Sequence, residues 1–151
     1  MNLPKAICVD IDGTIANIDH RLHHVRRKPK NWPEFFKEMS KDSVNEWCQN
    51  LVYLYFNAGY KIIFVSGRGE EYRRATETWL DEKAQVYHTA YELYMRPEKD
   101  YRQDDIIKEE IYLTKIKDKY NVEVVIDDRP RVCRKWRELG LLVLQCNDKE
   151  F

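Results

Sequence analysis

Two aspartates one residue apart follow an apolar, strand-like run near the start of the sequence. Asp10 and Asp12 come directly after residues 6–9, and Gly13 and Thr14 follow them. A pair of carboxylates is costly to bury at the end of a strand, so it indicates chemistry unless the strand end is solvated. A solvated aspartate beside an ordinary glycine turn is the alternative. These residues alone leave both interpretations open.

Polar residues also follow two later apolar runs. A hydroxyl, a glycine and a guanidinium follow the first of these runs, and two carboxylates follow the second: Ser66, Gly67, Arg68, Asp127 and Asp128. In a parallel sheet the carboxyl ends of the strands lie at one edge, and ligands bind there. We therefore expect these residues to converge with Asp10 and Asp12.

A cluster of this kind would need a cation. Two like charges about 4 Å apart repel by roughly 4 kcal/mol at an effective dielectric near 20. Several carboxylates therefore tolerate one another only with a bound cation or with raised pKa values. All the candidate ligands are oxygen atoms, which favours Mg²⁺ over zinc. The expected metal ligands are Asp10, Asp12, Asp127 and Asp128.

The polar residues after the second apolar run complement the acids with phosphate ligands. Ser66 offers a hydroxyl, Gly67 an accessible N–H and Arg68 a guanidinium fork for phosphate oxygens. Taken alone, a Ser-Gly-Arg sequence is more often a plain turn. A lysine should join these groups from the helix before the last acidic pair, and the candidates are Lys108 and Lys115, then Lys117.

Together these groups predict a site for phosphoryl transfer. Asp10 would attack phosphorus and form an aspartyl-phosphate. Asp12 would protonate the leaving oxygen and then deprotonate the attacking water, which is worth roughly 10²–10⁴-fold in rate. Because an acid at position 12 lets the intermediate hydrolyse, the sequence indicates a phosphatase.

The elements that position these residues follow from the apolar pattern. Apolar runs alternate with helical patterns five times, and most runs are continuously apolar, which is typical of parallel strands buried on both faces. The predicted strands span about 5–11, 60–65, 92–95, 122–126 and 141–144. The predicted helices span about 31–39, 43–57, 70–83, 103–119 and 130–139.

Length and composition predict one domain over residues 1–151. The sequence is 43% hydrophobic and 34% charged with a formal net charge of zero, so no global basic field indicates nucleic-acid binding. No apolar run is long enough to span a membrane, and no signal pattern opens the sequence. The four cysteines lack CxxC spacing, which indicates reduced thiols and hence a cytoplasmic protein.

Charge is unevenly distributed along the chain. Residues 21–30, within a stretch of irregular appearance, contain five Lys or Arg and two histidines but no acid. A solvated loop is the ordinary explanation of such a segment. A surface that contacts a phosphate backbone is the sharper one.

Residues 10–14, Ser66, a lysine and the Asp127-Asp128 pair resemble the four-motif signature of the haloacid dehalogenase superfamily. The resemblance implies a Rossmann-like three-layer α/β/α fold, with a five-stranded, mainly parallel sheet and the first strand at its centre. It also implies little or no cap, residues 17–41 being a candidate small lid or substrate loop. Thr14, as part of the first motif, is expected to bind phosphate or substrate.

A closer resemblance is to the 3′-phosphatase domain of phage-type polynucleotide kinase/phosphatases, over residues 6–145. The segments that carry it are 65–68, 94–97, 104–111, 126–130 and 136–141. This resemblance implies that Lys108 is the phosphate ligand. It also implies functional positions at Arg21, Arg68 and Asp104. None of the five glycines precedes a lysine, so the sequence lacks the phosphate loop of the kinase domain in the best-known family members.

These observations favour a Mg²⁺-dependent polynucleotide 3′-phosphatase that acts on DNA or RNA ends. The basic stretch is compatible with a single-stranded end, and Trp32 could stack there, although a core position suits Trp32 better. A phosphatase of nucleoside monophosphates is the alternative, and a non-catalytic module that binds nucleic-acid ends is third. The expected partner is a phosphorylated polynucleotide end or a nucleotide, with no membrane and no obligate protein partner.

Overall fold

The computed structural model describes residues 2–149 and 151 of the chain. The strands in this part are β1 (Lys5–Val9), β2 (Ala16–Asn17), β3 (Ser43–Val44), β4 (Lys61–Gly69), β5 (Tyr91–Arg96), β6 (Asn121–Asp127) and β7 (Val143–Gln145). Five of them form one sheet in the order β5-β4-β1-β6-β7, and every neighbouring pair is parallel. The two short strands β2 and β3 pair with each other in antiparallel fashion. The prediction of a five-stranded parallel sheet with the first strand at its centre is confirmed.

Helices connect these strands. They are α1 (His23–Arg26), α2 (Trp32–Lys37), α3 (Glu46–Asn57), α4 (Arg73–Glu82), α5 (Asp104–Ile111) and α6 (Pro130–Glu138), with 3₁₀ turns at Asp19–Arg21, Met39–Lys41, Glu70–Tyr72 and His88–Ala90 and a π turn at Tyr112–Ile116. Asn31 caps α2 by accepting a hydrogen bond from the Glu34 backbone N–H at 3.3 Å. None of the helices described is both long and apolar enough to cross a membrane.

The sheet separates two hydrophobic layers, because alternate side chains of the central strand point to opposite faces. Ile7 and Val9 of β1 belong to one layer, together with residues of α2, α3 and α4. Ala6 and Cys8 belong to the other, together with residues of α5 and α6. All four side chains are completely buried. The chain therefore has the three-layer α/β/α architecture that the sequence predicts.

The structure differs from the sequence prediction at several element ends. The predicted turn at residues 66–69 is wrong, because β4 continues through it and its pairing with β5 shifts register between Ser66 and Gly69. Such a bulge re-aims side chains without ending the strand. The helix predicted from residue 43 begins at Glu46, since Ser43 pairs with β2. The helix predicted over 103–119 is α-helical only to Ile111.

Residues 17–41 pack against the sheet layer instead of standing apart as an irregular loop. Their apolar side chains Leu22, Val25, Phe35 and Met39 are buried. Phe35 belongs to the same hydrophobic layer as β1. Within the basic stretch, Arg21 is buried, whereas Arg26 and Lys30 are exposed. The solvated-loop interpretation therefore fails for Arg21.

Candidate active site

Two of the predicted strand ends bring three carboxylates together at the carboxyl edge of the sheet. Ligand atoms of Asp10, Asp127 and Asp128 all lie within 4.8 Å of one another, and all three residues are buried. Gly13 permits this approach, since its φ is +84° and an added Cβ would lie 2.1 Å from Asp128 Oδ2. Glycine is required there both for the backbone conformation and for the space. The predicted convergence of the two acidic strand ends is confirmed.

Lys108 joins the three acids from α5. Its Nζ donates to Asp10 Oδ1 at 2.7 Å and to Asp127 Oδ2 at 2.9 Å. Burial lowers the pKa of Lys108, but the charges of Asp10 and Asp127 more than offset it and raise that pKa above its ordinary value. The ammonium is therefore charged. Of the candidate lysines, the structure brings Lys108 to the acids and leaves Lys115 exposed on the π turn.

The two neighbouring aspartates of the last motif have different surroundings. Asp127 Oδ1 accepts from the backbone N–H groups of Asp128 at 2.9 Å and Arg129 at 3.3 Å, while its Oδ2 accepts from Lys108 and from the Trp136 indole at 3.2 Å. Asp128 receives one long hydrogen bond, 3.5 Å from the Thr14 hydroxyl, among the residues described. Asp128 therefore has more lone pairs available for a ligand than Asp127 has.

The electrostatics of this cluster fit a cation. Burial raises the pKa of Asp10, and the charge of Asp127 raises it further, against the opposing effect of Lys108. Burial together with the charges of Asp10 and Asp127 raises the pKa of Asp128 still more. Without a cation, a proton on Asp128 relieves the repulsion. Against the single ammonium of Lys108, the three ionised carboxylates leave two excess negative charges, which suits a hard divalent cation.

Asp12 points away from this cluster, toward two arginines. Arg21 Nη2 and Arg68 Nη2 each donate to Asp12 Oδ1 at 2.6 Å, and Arg68 Nε lies 3.2 Å from both carboxylate oxygens. Although burial raises the pKa of Asp12, Arg68 and Arg21 more than offset this and hold it well below its usual range. The structure thus differs from the prediction that the Asp12 carboxylate is a metal ligand, because two guanidinium groups compete for its oxygens.

Asp42, which directly follows the 3₁₀ turn before β3, holds these arginines in place. The sequence alone does not identify it as a site residue. Its side chain is completely buried and accepts from Arg21 Nε at 2.8 Å and Arg21 Nη2 at 2.6 Å. It also accepts from His20 Nε2 at 2.7 Å and lies 3.6 Å from Arg68 Nη2. An isolated acid in a polar stretch carries no sequence signal for such a role.

The remaining predicted residues lie beside the acids or at the rim above them. Ser66 is buried, and its hydroxyl accepts from the Arg68 backbone N–H at 3.1 Å. Thr14 is buried and donates to Asp10 Oδ2 at 2.9 Å. Asp104 accepts from Arg96 and Arg129 and would lie 2.7 Å from a Cβ at Gly67. The structure therefore gathers every predicted site residue into one region, although Arg21 and Arg68 face Asp12 instead of open space.

An open cavity of about 880 Å³ lies over the acids. This volume suits a ligand the size of a nucleotide. Three rings on one side of it, Trp32, Phe36 and Tyr72, form what we call the aromatic wall. The rest of the lining carries charges of both signs: the cations are Lys30, Arg96, Lys99, Arg102, Arg129 and Arg131, and the acids away from the cluster are, besides Asp12, Glu71, Glu98, Asp100 and Asp104. Among residues 21–30, the cavity takes its lining from Lys30.

Comparison with known proteins places this site in a family. The model of the family "Polynucleotide kinase PNKP phosphatase domain" matches residues 4–151. A relative from Autographa californica nuclear polyhedrosis virus, named "Putative bifunctional polynucleotide kinase/RNA ligase", is 30% identical over 139 residues, which are 91% of this chain and 18% of that protein. The chain therefore spans less than one fifth of that relative.

Solved structures agree with the family match. A chain of the Pnkp1/Rnl/Hen1 RNA repair complex superposes with a TM-score of 0.83 at 37% identity, over 99% of this chain and 44% of that one. The class C acid phosphatase from Bacillus anthracis superposes with a TM-score of 0.65 at 15% identity, over 87% of this chain and 54% of that one. The second likeness shows the shared fold alone.

Proposed function

This chain belongs to the family of the polynucleotide kinase PNKP phosphatase domain, and we propose that it is a Mg²⁺-dependent phosphatase that removes the 3′-phosphate from polynucleotide ends. The observation that carries the proposal is the buried carboxylate of Asp10 at the floor of the cavity. Its oxygens are oriented by Lys108 and Thr14, and two further acids lie beside it. An oriented carboxylate next to a fixed ammonium suits nucleophilic attack on a phosphate.

The chemistry divides between Asp10 and Asp12. In the first step an oxygen of Asp10 bonds to phosphorus while the ester bond breaks, and the leaving oxygen takes a proton from Asp12. In the second step Asp12 accepts a proton from water, the water oxygen bonds to phosphorus, and the acyl phosphate bond breaks to release phosphate and free Asp10. In this structure Arg68 and Arg21 keep Asp12 ionised. An ionised Asp12 can accept the proton from water, as the second step requires. For the first step Asp12 must turn away from Arg21 and Arg68 and carry a proton.

Asp10 and Asp128 are the residues that would hold Mg²⁺, because Asp127 is occupied by its own four donors. Bound there, the cation would neutralise excess charge on the acids and on the phosphate oxygens. In this proposal Asp42 holds Arg21, and Arg21 orients Asp12 directly. Arg21 does not contact the substrate, because its side chain is completely buried and does not line the cavity. Lys108 binds the phosphate and orients Asp10.

The relatives favour RNA ends as the substrate and other repair proteins as partners. One relative is named for a polynucleotide kinase and RNA ligase, and the structural relative is part of an RNA repair complex with other proteins. We therefore infer that this chain acts on RNA ends before ligation. The same likeness weighs against the expectation of no protein partner.

The test compares four phosphorylated substrates with Mg²⁺: a 3′-phosphorylated oligoribonucleotide, its 5′-phosphorylated isomer, and a nucleoside 3′- and 5′-monophosphate. We expect the 3′-phosphorylated oligonucleotide to have the highest kcat/KM. A preference for the 5′-monophosphate would overturn the proposal in favour of a nucleotidase. Hydrolysis of none of them, nor of an aryl phosphate, would support the non-catalytic binding module.

The nucleophile is tested with Asp10→Asn, which removes the charge and keeps the shape. We expect turnover of every phosphomonoester to fall below detection while the unfolding temperature changes little. The matched control is Asp118→Asn, an exposed aspartate ahead of β6 at the far end of the sheet, which should keep full activity. Appreciable hydrolysis by pure Asp10→Asn would remove Asp10 as the nucleophile.

A further inference from the structure

We propose that the aromatic wall of Trp32, Phe36 and Tyr72 is the binding site for the nucleobase of the terminal nucleotide. This inference rests on the proposed function and adds the part of the substrate that is recognised beyond its phosphate. The wall lines the same cavity as Asp10 and Asp12. A phosphate at Asp10 therefore leaves the rest of its nucleotide within that cavity.

The rings of the wall form a near-parallel stack. The centroids of Trp32 and Phe36 lie 6.0 Å apart with 24° between their planes, and those of Phe36 and Tyr72 lie 5.0 Å apart at 29°. The buried Phe35 fixes this stack from below, with its ring edge-to-face against Trp32 at 5.5 Å and 89°. A preformed aromatic surface binds a base without first having to be ordered, and it accepts any base because every base has a π-face.

Trp32 differs from the buried tryptophans in its indole N–H. Trp79 donates to the Asp42 carbonyl oxygen at 3.0 Å and Trp136 donates to Asp127 at 3.2 Å. In the described part of the chain, the Trp32 indole has no such acceptor, and the residue is only partly buried. A tryptophan with a core role satisfies its N–H inside the protein. The contrast favours a ligand-facing position for Trp32 over the core position that the sequence suggests.

The cations of the cavity fall into two groups. Arg96, Arg102 and Arg129 each pair with an aspartate, Asp100 or Asp104. Lys30, Lys99 and Arg131 are exposed, and none of them forms an ion pair with residues 2–149 or 151. Lys99 and Arg131 are uncommitted, whereas Lys30 Nζ lies over the Trp32 ring, 5.7 Å from its centroid. All three charges suit the phosphates of a nucleotide chain that leads to the wall. An aromatic wall with free cations near it is the chemistry of a single-stranded end.

The test measures how strongly the enzyme prefers a base at the end of its substrate. Two 3′-phosphorylated oligonucleotides are compared, one with an ordinary terminal nucleotide and one with a tetrahydrofuran abasic analogue in its place. Because stacking of one base changes affinity by about tenfold or more, we expect wild-type kcat/KM to be about tenfold higher with the base. The ratio of the two values does not depend on the fraction of active protein.

The variants Trp32→Leu and Tyr72→Leu keep apolar bulk and remove an aromatic face. We expect each to bring the base-to-abasic ratio close to one. The matched control is Tyr87→Leu, since Tyr87 is 62% exposed and does not line the cavity, and it should keep the wild-type ratio.

Two results would overturn the inference while the proposed function stands: equal turnover of both oligonucleotides by the wild type, or a ratio unchanged in both wall variants. A wild type that hydrolyses an aryl phosphate but neither oligonucleotide would overturn the proposed function, and the inference with it.

Discussion

The stability of the metal-free protein should fall as the pH rises through neutrality, because of Asp128. Burial and the charges of Asp10 and Asp127 raise the pKa of Asp128 from 3.8 to about 10. Between these two values the folded chain keeps a proton that the unfolded chain has released. Stability changes with pH by the difference in bound protons, unfolded minus folded, which here is minus one. The free energy of unfolding therefore decreases with pH in this window.

The magnitude follows from the same proton. One proton corresponds to about 1.4 kcal/mol per pH unit, so the rise from pH 6 to pH 8 should remove up to about 3 kcal/mol. The measurement is urea unfolding of the EDTA-treated protein at several pH values. The control variant Asp128→Asn keeps the shape of the protonated side chain and cannot release a proton, so its stability should vary less steeply with pH.

Magnesium should weaken this dependence. A cation at Asp10 and Asp128 displaces the proton, so binding is stronger where the proton is lost more easily. The gain in unfolding free energy at a fixed Mg²⁺ concentration should therefore be larger at pH 8 than at pH 6, and Asp128→Asn should lose most of it. Equal pH slopes for the wild type and Asp128→Asn, or a Mg²⁺ effect that is independent of pH, would refute the reasoning.

Two further substitutions test the packing around the site. Gly13→Ala should abolish Mg²⁺-dependent turnover, because its Cβ would lie 2.1 Å from Asp128 Oδ2. Gly140→Ala is the control: Gly140 has a φ of +86°, but no atom of residues 2–149 or 151 lies within 4 Å of the added Cβ, so the change should cost only backbone strain. Equal activity losses in the two variants would contradict the steric explanation. Asp42→Asn should lower the free energy of unfolding by about 3 kcal/mol, since it leaves Arg21 buried without its bidentate acceptor. In a double-mutant cycle by chemical denaturation, adding Arg21→Leu should then cost much less than it does alone, and additive losses would exclude the pair.

The sheet was predictable from sequence because its strands are buried on both faces. Residues 124–126, for example, are apolar at every position and buried, as a stretch between two helical layers must be. The parallel order then brings the ends of β1 and β6 together, so Asp10 and Asp128 could be placed near each other without any contact being known. The turn predicted at residues 66–69 failed for a local reason: a glycine-rich stretch predicts a turn and a bulged strand equally well.

The orientation of side chains within the site was beyond the sequence. Arg68 follows a strand end and could equally hold a phosphate or a neighbouring acid, and only the bulge in β4 directs it to Asp12. Asp42 lies 30 residues from Asp12 in the chain, and they become linked through Arg21 because residues 17–41 fold back onto the sheet. The cluster of three acids is thus set by topology, while the low pKa of Asp12 is set first by Arg68 and then by this contact with Arg21. A segment that looks irregular in sequence therefore determines how the second catalytic acid of our proposal is held.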